Sequence, residues 1–327
     1  MTLVGTIGRE APKAALRRQA FMLGATYLLQ AARLAAAAID RDLIQTLLFL
    51  AISRANVAGI TEAPDAGARF AGLTSIPPDT MRLPISVYAL SRDLRLPQET
   101  VRRHVGKLKA DGLCIEVAGG LIVPRSVLMG PNYLMAIDQN WSLTRYFVDE
   151  LARLGPFSPT QSDAQHRDVR RQTVRISVDY FVDGLNLLAR LGGGNLRAAL
   201  VLCAVSAYDL ERHSPDETLG QTMTRIGDIA LDYFQEPIRI RTLSALLIMP
   251  IETARRHLKE LAQRGLVERR AGEGFAIPPL VDEVPSLSAE LEAFGSLTDH
   301  LLERLAKIGV TDRNAVAMKH IQARWPR

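Results

Sequence analysis

Residues 84–119 read PISVYALSRDLRLPQETVRRHVGKLKADGLCIEVAG, and residues 237–272 read PIRIRTLSALLIMPIETARRHLKELAQRGLVERRAG. Laid over each other without a gap, at an offset of 153 residues, sixteen of the thirty-six positions are identical. They include Pro84, Ile85, Leu90, Leu94, Pro97, Glu99, Thr100, the run Arg102-Arg103-His104, Leu108 and Gly112-Leu113. Unrelated segments of this length would share about two, so the chain repeats itself, and a repeat has to be settled before any fold is read.

The repetition extends outward. Leu43, Leu47, Ala51 and Ser53 fall on Leu196, Leu200, Ala204 and Ser206, and Tyr27 falls on Tyr180. After Gly119 the second copy carries one extra residue, and Ser142-Leu143-Thr144 then meets Ser296-Leu297-Thr298. The organisation expected is a first repeat at 15–157, a linker at 158–172, a second repeat at 173–310 and a tail at 311–327, with residues 1–14 mobile.

Within each module the order reads short strand, helix, turn, helix, hairpin. Pro84-Ile85 suits a short strand, and Val87–Leu94 a helix with Leu90 and Leu94 inward. Pro97 opens the next helix, where a missing N–H costs little. Glu99 complements the dipole of its first turn, and Gly112 suits a left-handed stop. Val101, Val105 and Leu108 recur at helical spacing and form a buried stripe, matched by Ala254, Leu258 and Leu261. Gly119-Gly120 joins two short alternating segments as a hairpin. Long helices are expected at about 17–39, 42–57, 133–154, 174–191 and 287–308, with a long connection at 58–80 and a second at 211–236 that is more helical in pattern around 223–234. The fold class is mainly α with small β-hairpin wings: two tandem winged helix-turn-helix domains with flanking long helices, related by a pseudo-twofold.

The composition is that of a globular chain of about two domains, 47% hydrophobic with mean hydropathy +0.05. Forty basic against 35 acidic residues leave a net charge of +5, which permits an anionic partner. Aromatic residues make up only 6%, too few for a base-stacking platform. Cys114 and Cys203 have no metal-ligand spacing and read as core residues of a reducing compartment. The most apolar runs, 43–52 and 196–207, fall short of the ~20 residues of a membrane span, and Gln30 and Arg33 interrupt the stretch after Arg17-Arg18. The expectation is a cytoplasmic, nucleoid-associated protein with no membrane, metal or cofactor.

Thr100-Val101-Arg102-Arg103-His104 through Leu108 to Gly112-Leu113, and its copy from Thr253 to Leu266, resemble the recognition helix of MarR-, ArsR- and GntR-type winged-helix regulators. The resemblance covers the two modules only. It implies that Gln98, Glu99, Thr100, Arg102, Arg103, His104 and Lys107 face double-stranded DNA in the first copy. Thr253, Arg255, Arg256, His257 and Lys259 do so in the second. Arg102 and Arg255 are the candidates for two-pronged hydrogen bonds to guanine. Arg103, Arg256 and Lys107 would neutralise phosphates, and the histidines would pack at the helix edge or touch a phosphate. The halves have also diverged. Ile251 replaces Gln98, and only the second wing carries Arg269-Arg270, able to place positive charge beside the backbone or in the minor groove.

Ordinary winged-helix regulators dimerise on half-sites about 34–36 Å apart. Fusion builds that dimer into one chain, suits an imperfect or asymmetric repeat, and leaves a further homodimer and a small-molecule effector open. No enzyme signature is present: no phosphate-binding Gly-rich loop, His-Glu-x-x-His, Cys-x-x-Cys or Gly-x-Ser-x-Gly. The reading is a sequence-specific transcriptional regulator. Two alternatives share the architecture, a replication-initiator-like DNA-binding protein and a tandem winged-helix protein-interaction scaffold.

Overall fold

The computed structural model describes residues 7–154, 167–212, 237–270, 274–278 and 285–311. The described chain is mainly helical, with two small antiparallel hairpins. Helix α1 spans Ile7–Ile39, so the segment expected to be a mobile tail is helical from residue 7. Helix α2, Leu43–Asn56, begins at the N-cap Asp42, whose side chain accepts from Ile44 N at 3.0 Å and Gln45 N at 2.9 Å. That carboxylate satisfies two of the amides every helix start leaves without partners. The long connection expected after α2 holds α3 (Ala58–Glu62), α4 (Pro64–Arg69) and a 3-10 turn at Asp79–Met81.

A compact unit follows. Ile85 forms an isolated bridge with Leu121, then come α5 (Val87–Asp93), α6 (Gln98–Ala110) and the hairpin β1 (Ile115–Val117) with β2 (Gly120–Ile122). Pro97 is the N-cap of α6 and not its first helical residue. Helices α7 (Arg125–Leu128) and α8 (Pro131–Leu154) close the first half. Helix α9 runs Arg170–Leu191, a turn earlier than expected, so Arg170 and Arg171 belong to a helix and not to the linker. Helix α10 is Leu196–Arg212. After the Ile238–Phe275 bridge position come α11 (Ile240–Leu246), α12 (Ile251–Gln263) and the hairpin β3 (Glu268–Arg270) with β4 (Gly274–Ala276). Helix α13 is Pro285–Lys307. The helical pattern expected around 223–234 lies outside the described residues.

The backbone repeats as the sequence does. Arg95 and Ile248 take φ of 51° and 49°, Gly112 and Gly265 take 69° and 72°, and Gly120 and Gly274 take 142° and 134°. These pairs mark the turn between the two short helices, the helix stop and the hairpin. At Gly120 a Cβ would sit 2.5 Å from the Ile85 carbonyl, so the hairpin and the Ile85 bridge come together only without a side chain.

Buried apolar residues from both halves form one continuous cluster. Helix α1 packs on α8 and on α10, and α9 packs on α13, α10, α8 and α2. At the centre the Tyr27 ring lies 5.8 Å from that of Tyr180 and stacks on Phe147 at 4.6 Å. The hydroxyls bond reciprocally: Tyr27 to Thr144 at 2.9 Å, and Tyr180 to Thr298 at 3.1 Å. Residues Ala20–Ile39 of α1 reach the length and hydropathy of a membrane span, contrary to the sequence reading, but 67% of that window is buried inside this fold.

A core common to both halves makes unfolding a single event. Thermal or denaturant unfolding should show one cooperative transition, and Tyr27→Ala should lower its free energy by about 3–5 kcal/mol. Two resolved transitions, with only one moved by the substitution, would contradict this packing.

Candidate nucleic-acid interface

Helix α6 is held by its inner stripe. Val101, Val105 and Leu108 are buried, and α2 packs against them. In α12 the stripe is Ala254, Leu258 and Leu261, packed on α10. With these faces fixed, helical geometry turns Gln98, Glu99, Arg102, Arg103 and Lys107 outward on α6. On α12 it turns out Ile251, Glu252, Arg255, Arg256 and Lys259, while Thr100 and Thr253 are half-buried at the edge.

The arginine pairs are lightly held. Arg102 lies 3.4 Å from Glu99, with both side chains largely exposed, and Arg255 pairs in the same way with Glu252. Exposed pairs one helical turn apart contribute at most about 1 kcal/mol, so a phosphate or a base edge competes for these guanidinium groups at little cost. Arg103, Arg256, Lys107 and Lys259 make no ion pair among the described residues.

The two histidines occupy a different place from their neighbours. His104 is 7% exposed and His257 is 0% exposed, both on the inner side of their helices. His104 Nδ1 lies 3.9 Å from Asp42, the cap of α2, and His257 Nδ1 lies 3.0 Å from Glu260. Neither reaches the outer surface, so a phosphate contact by either is corrected to a structural position. Burial is the largest influence on His104 and lowers its pKa, against the Asp42 carboxylate and together with the cations Arg103, Lys107 and Arg197.

The hairpins differ in charge. In the first, Glu116 is bound by Lys109, which ties the end of α6 to β1. In the second, Arg270 is half-buried and donates to Glu268 at 3.0 Å, whereas Arg269 is exposed. The two adjacent arginines, alike in sequence, therefore point to opposite faces of the strand. Of the two, Arg269 presents the exposed cation.

Further exposed residues that the sequence reading missed lie in or beside the helices that precede α6 and α12. Tyr88 is 59% exposed on α5 with the Arg92 guanidinium 6.0 Å from its ring, and the second copy places exposed Arg239 and Arg241 at the positions of Ser86 and Tyr88. Their signal was present in the aligned copies, but it lay ahead of the conserved-looking triplet, where the residue types diverge. Ile248, 83% exposed, sits in the left-handed conformation of the inter-helix turn, which is unfavourable for a β-branched residue.

The thiols of Cys114 and Cys203 are pushed up to about 11 and about 12 by burial, so both stay protonated at neutral pH. Among the described residues no cluster of His, Cys, Asp or Glu is arranged to hold a metal ion. Comparison with protein-family models, curated proteins and solved structures finds no match to this chain.

The buried imidazole carries a pH signature. Its folded pKa lies below the value near 6.5 of the unfolded chain, so the unfolded state binds the extra proton first. This contribution is present above about pH 6.5 and is lost as pH falls toward the lower folded value. Urea midpoints measured at pH 7.5 and pH 5.5 should fall on acidification, and the fall should be smaller in His104→Leu. An equal fall in both proteins would contradict the assignment.

Proposed function

We propose that the chain is a sequence-specific double-stranded DNA-binding transcriptional regulator. In this reading each bridge–helix–helix–hairpin unit is a winged helix, 15–157 and 173–310 are fused copies, and the chain is its own pseudo-dimer. The observation that carries the proposal is the pairing of Arg102-Arg103 with Arg255-Arg256. Both pairs stand outward on the N-terminal half of an equivalent helix whose opposite face is buried in an equivalent way. The N-terminal half of such a helix is the part that enters a major groove.

The roles then divide by chemistry. Arg102 and Arg255 read guanine, with Gln98 adding a polar reader in the first copy and Ile251 an apolar one in the second. Arg103, Arg256, Lys107 and Lys259 meet phosphates, as do Arg92, Arg239 and Arg241 on the preceding helices. Arg269 extends the grip through the second hairpin. The target is an imperfect repeat, because the two reading faces differ. The protein acts at the nucleoid and not as an enzyme.

Binding to genomic duplex fragments tests the proposal. Replacing Arg102, Arg103, Arg255 and Arg256 together by Ala should abolish specific binding in a protein that still unfolds cooperatively. Arg102→Ala alone should cost about 1–3 kcal/mol and relax the preference at one base pair. Undiminished binding by the quadruple variant would overturn the reading, and absence of duplex binding by wild type at low salt would favour a protein-docking role.

The two hairpin arginines give a finer check. Between 50 and 200 mM salt, Arg269→Ala should reduce the slope of log affinity against log salt by about 0.9, the value of one phosphate contact. Arg270→Ala, whose guanidinium is already engaged by Glu268, should change it by less than half as much.

A further inference from the structure

Three arginines lie inside the protein around one cavity of about 50 Å³, far from α6 and α12 in the chain's chemistry and unused by the proposed function. Arg82, Arg171 and Arg175 are 4%, 5% and 8% exposed. Arg82 comes from the connection that precedes the first module, and Arg171 and Arg175 are one turn apart on α9. Their partners are few. Arg82 donates to Asp79 at 3.0 Å and to the Pro77 carbonyl at 3.2 Å. Arg171 reaches the carbonyls of Leu73 and Leu128, and Arg175 reaches the carbonyl of Gly67 at 3.1 Å. Arg82 Nη1, Arg175 Nε and Arg175 Nη1 are buried without a hydrogen-bond partner.

The charges do not balance. Among the described residues Asp79 pairs with Arg82 and no carboxylate pairs with Arg171 or Arg175, while Asp179 is committed to Arg54 at 3.0 Å and Arg304 at 2.7 Å. Burial, followed by the charge of Arg171, holds the Arg175 guanidinium down to about 10, well below an ordinary arginine. An isolated buried charge costs several kcal/mol and persists where something compensates it.

The repeat shows that the fold does not need a cation at the position of Arg175. At the same offset of 153 residues Met22 stands where Arg175 is, and Thr26 where Asp179 is. Met22 is 1% exposed, so an apolar residue fills the corresponding position in the other half of the core. A cation that the fold accepts replacing by methionine points to a ligand.

We propose that Arg82, Arg171 and Arg175 form a receptor for a small monocarboxylate with a compact apolar body. The guanidinium fork matches a carboxylate in its plane. The wall also includes Leu50, Val57, Ile137, Val174 and Val178, which suit hydrocarbon, beside the mutually paired Arg54 and Asp179 and the hydroxyl residues Ser53 and Thr61. The space holds three or four water-sized groups, since one such group needs about 10–15 Å³ by this measure. The Tyr133 phenol, which feels the field of all three arginines, stands at the wall. This site goes beyond the DNA-binding reading and stands or falls apart from it.

Calorimetric titration of the full chain with acetate, benzoate, inorganic phosphate and chloride, at fixed ionic strength, tests the proposal. Acetate, small enough for the cavity, should bind saturably at one per chain, more tightly than benzoate, and should raise the thermal midpoint where equal chloride does not. Arg175→Met, the residue used by the other half, should fold and lose at least tenfold in acetate affinity. If that variant does not fold, Val174→Leu keeps the charge and narrows the cavity, and should weaken acetate binding. No saturable carboxylate binding, phosphate or chloride binding as tightly as acetate, or acetate affinity unchanged in the folded variant would each overturn it. Duplex binding is a separate measurement, so its failure leaves this result intact.

Discussion

Two tyrosines, Tyr27 on α1 and Tyr180 on α9, meet with their rings 5.8 Å apart, and the rest of the structure is arranged around that contact. Each is fully buried, and each hydroxyl is matched to a threonine on the helix that follows its own hairpin. A buried phenol without such a partner would lose a hydrogen bond to water and gain nothing in return. The matched pairs therefore fix how α8 lies on α1 and how α13 lies on α9. Phe147 and Phe294 complete the cluster, and each reaches the opposite half, Phe147 through Tyr180 and Phe294 through Phe21. The space left is small: a Cβ on Gly24 would collide with the Phe294 ring.

From this centre the constraint passes outward through α2 and α10. These helices touch the long helices on one side and the short units on the other. Asn56, at the end of α2, donates to the carbonyls of Leu83 and Leu121 and accepts from Val123 N, so one buried amide ties the helix to both strand segments of the hairpin unit. Arg54, two residues earlier, spans to Asp179 and Asp183 on α9. A short segment of α2 thus connects the inter-half contact, the proposed anion receptor and the unit that carries Arg102 and Arg103.

Much of the local architecture was legible because it rests on short-range rules. The stripe Val101, Val105, Leu108 buries as its spacing demands, Gly112 ends α6 with a positive φ, and the helix expected from about residue 42 is α2. The duplicated pattern doubled each signal. Other features were hidden because they depend on what lies across the core. His104 and His257 look like members of a basic surface run, yet the helical turn that exposes Arg103 carries the next residue inward. Arg269 and Arg270 look equivalent until strand alternation and Glu268 separate them. Arg171 and Arg175 read as linker and ordinary helix polarity, because nothing nearby in the chain marks them as buried.

The amino-acid order alone determined that the chain is mainly helical, that residues 84–119 and 237–272 share a pattern, and which faces of α6 and α12 carry apolar and basic residues. Periodicity and capping act over a few residues, and duplication makes them visible twice. Only the tertiary structure decided that both halves share a single core, that the histidines are interior, and that Arg82 meets Arg171 and Arg175 across it, Arg175 standing where the other half places Met22. Those outcomes depend on which surfaces meet after more than a hundred intervening residues, and packing at that range leaves no local mark in the chain.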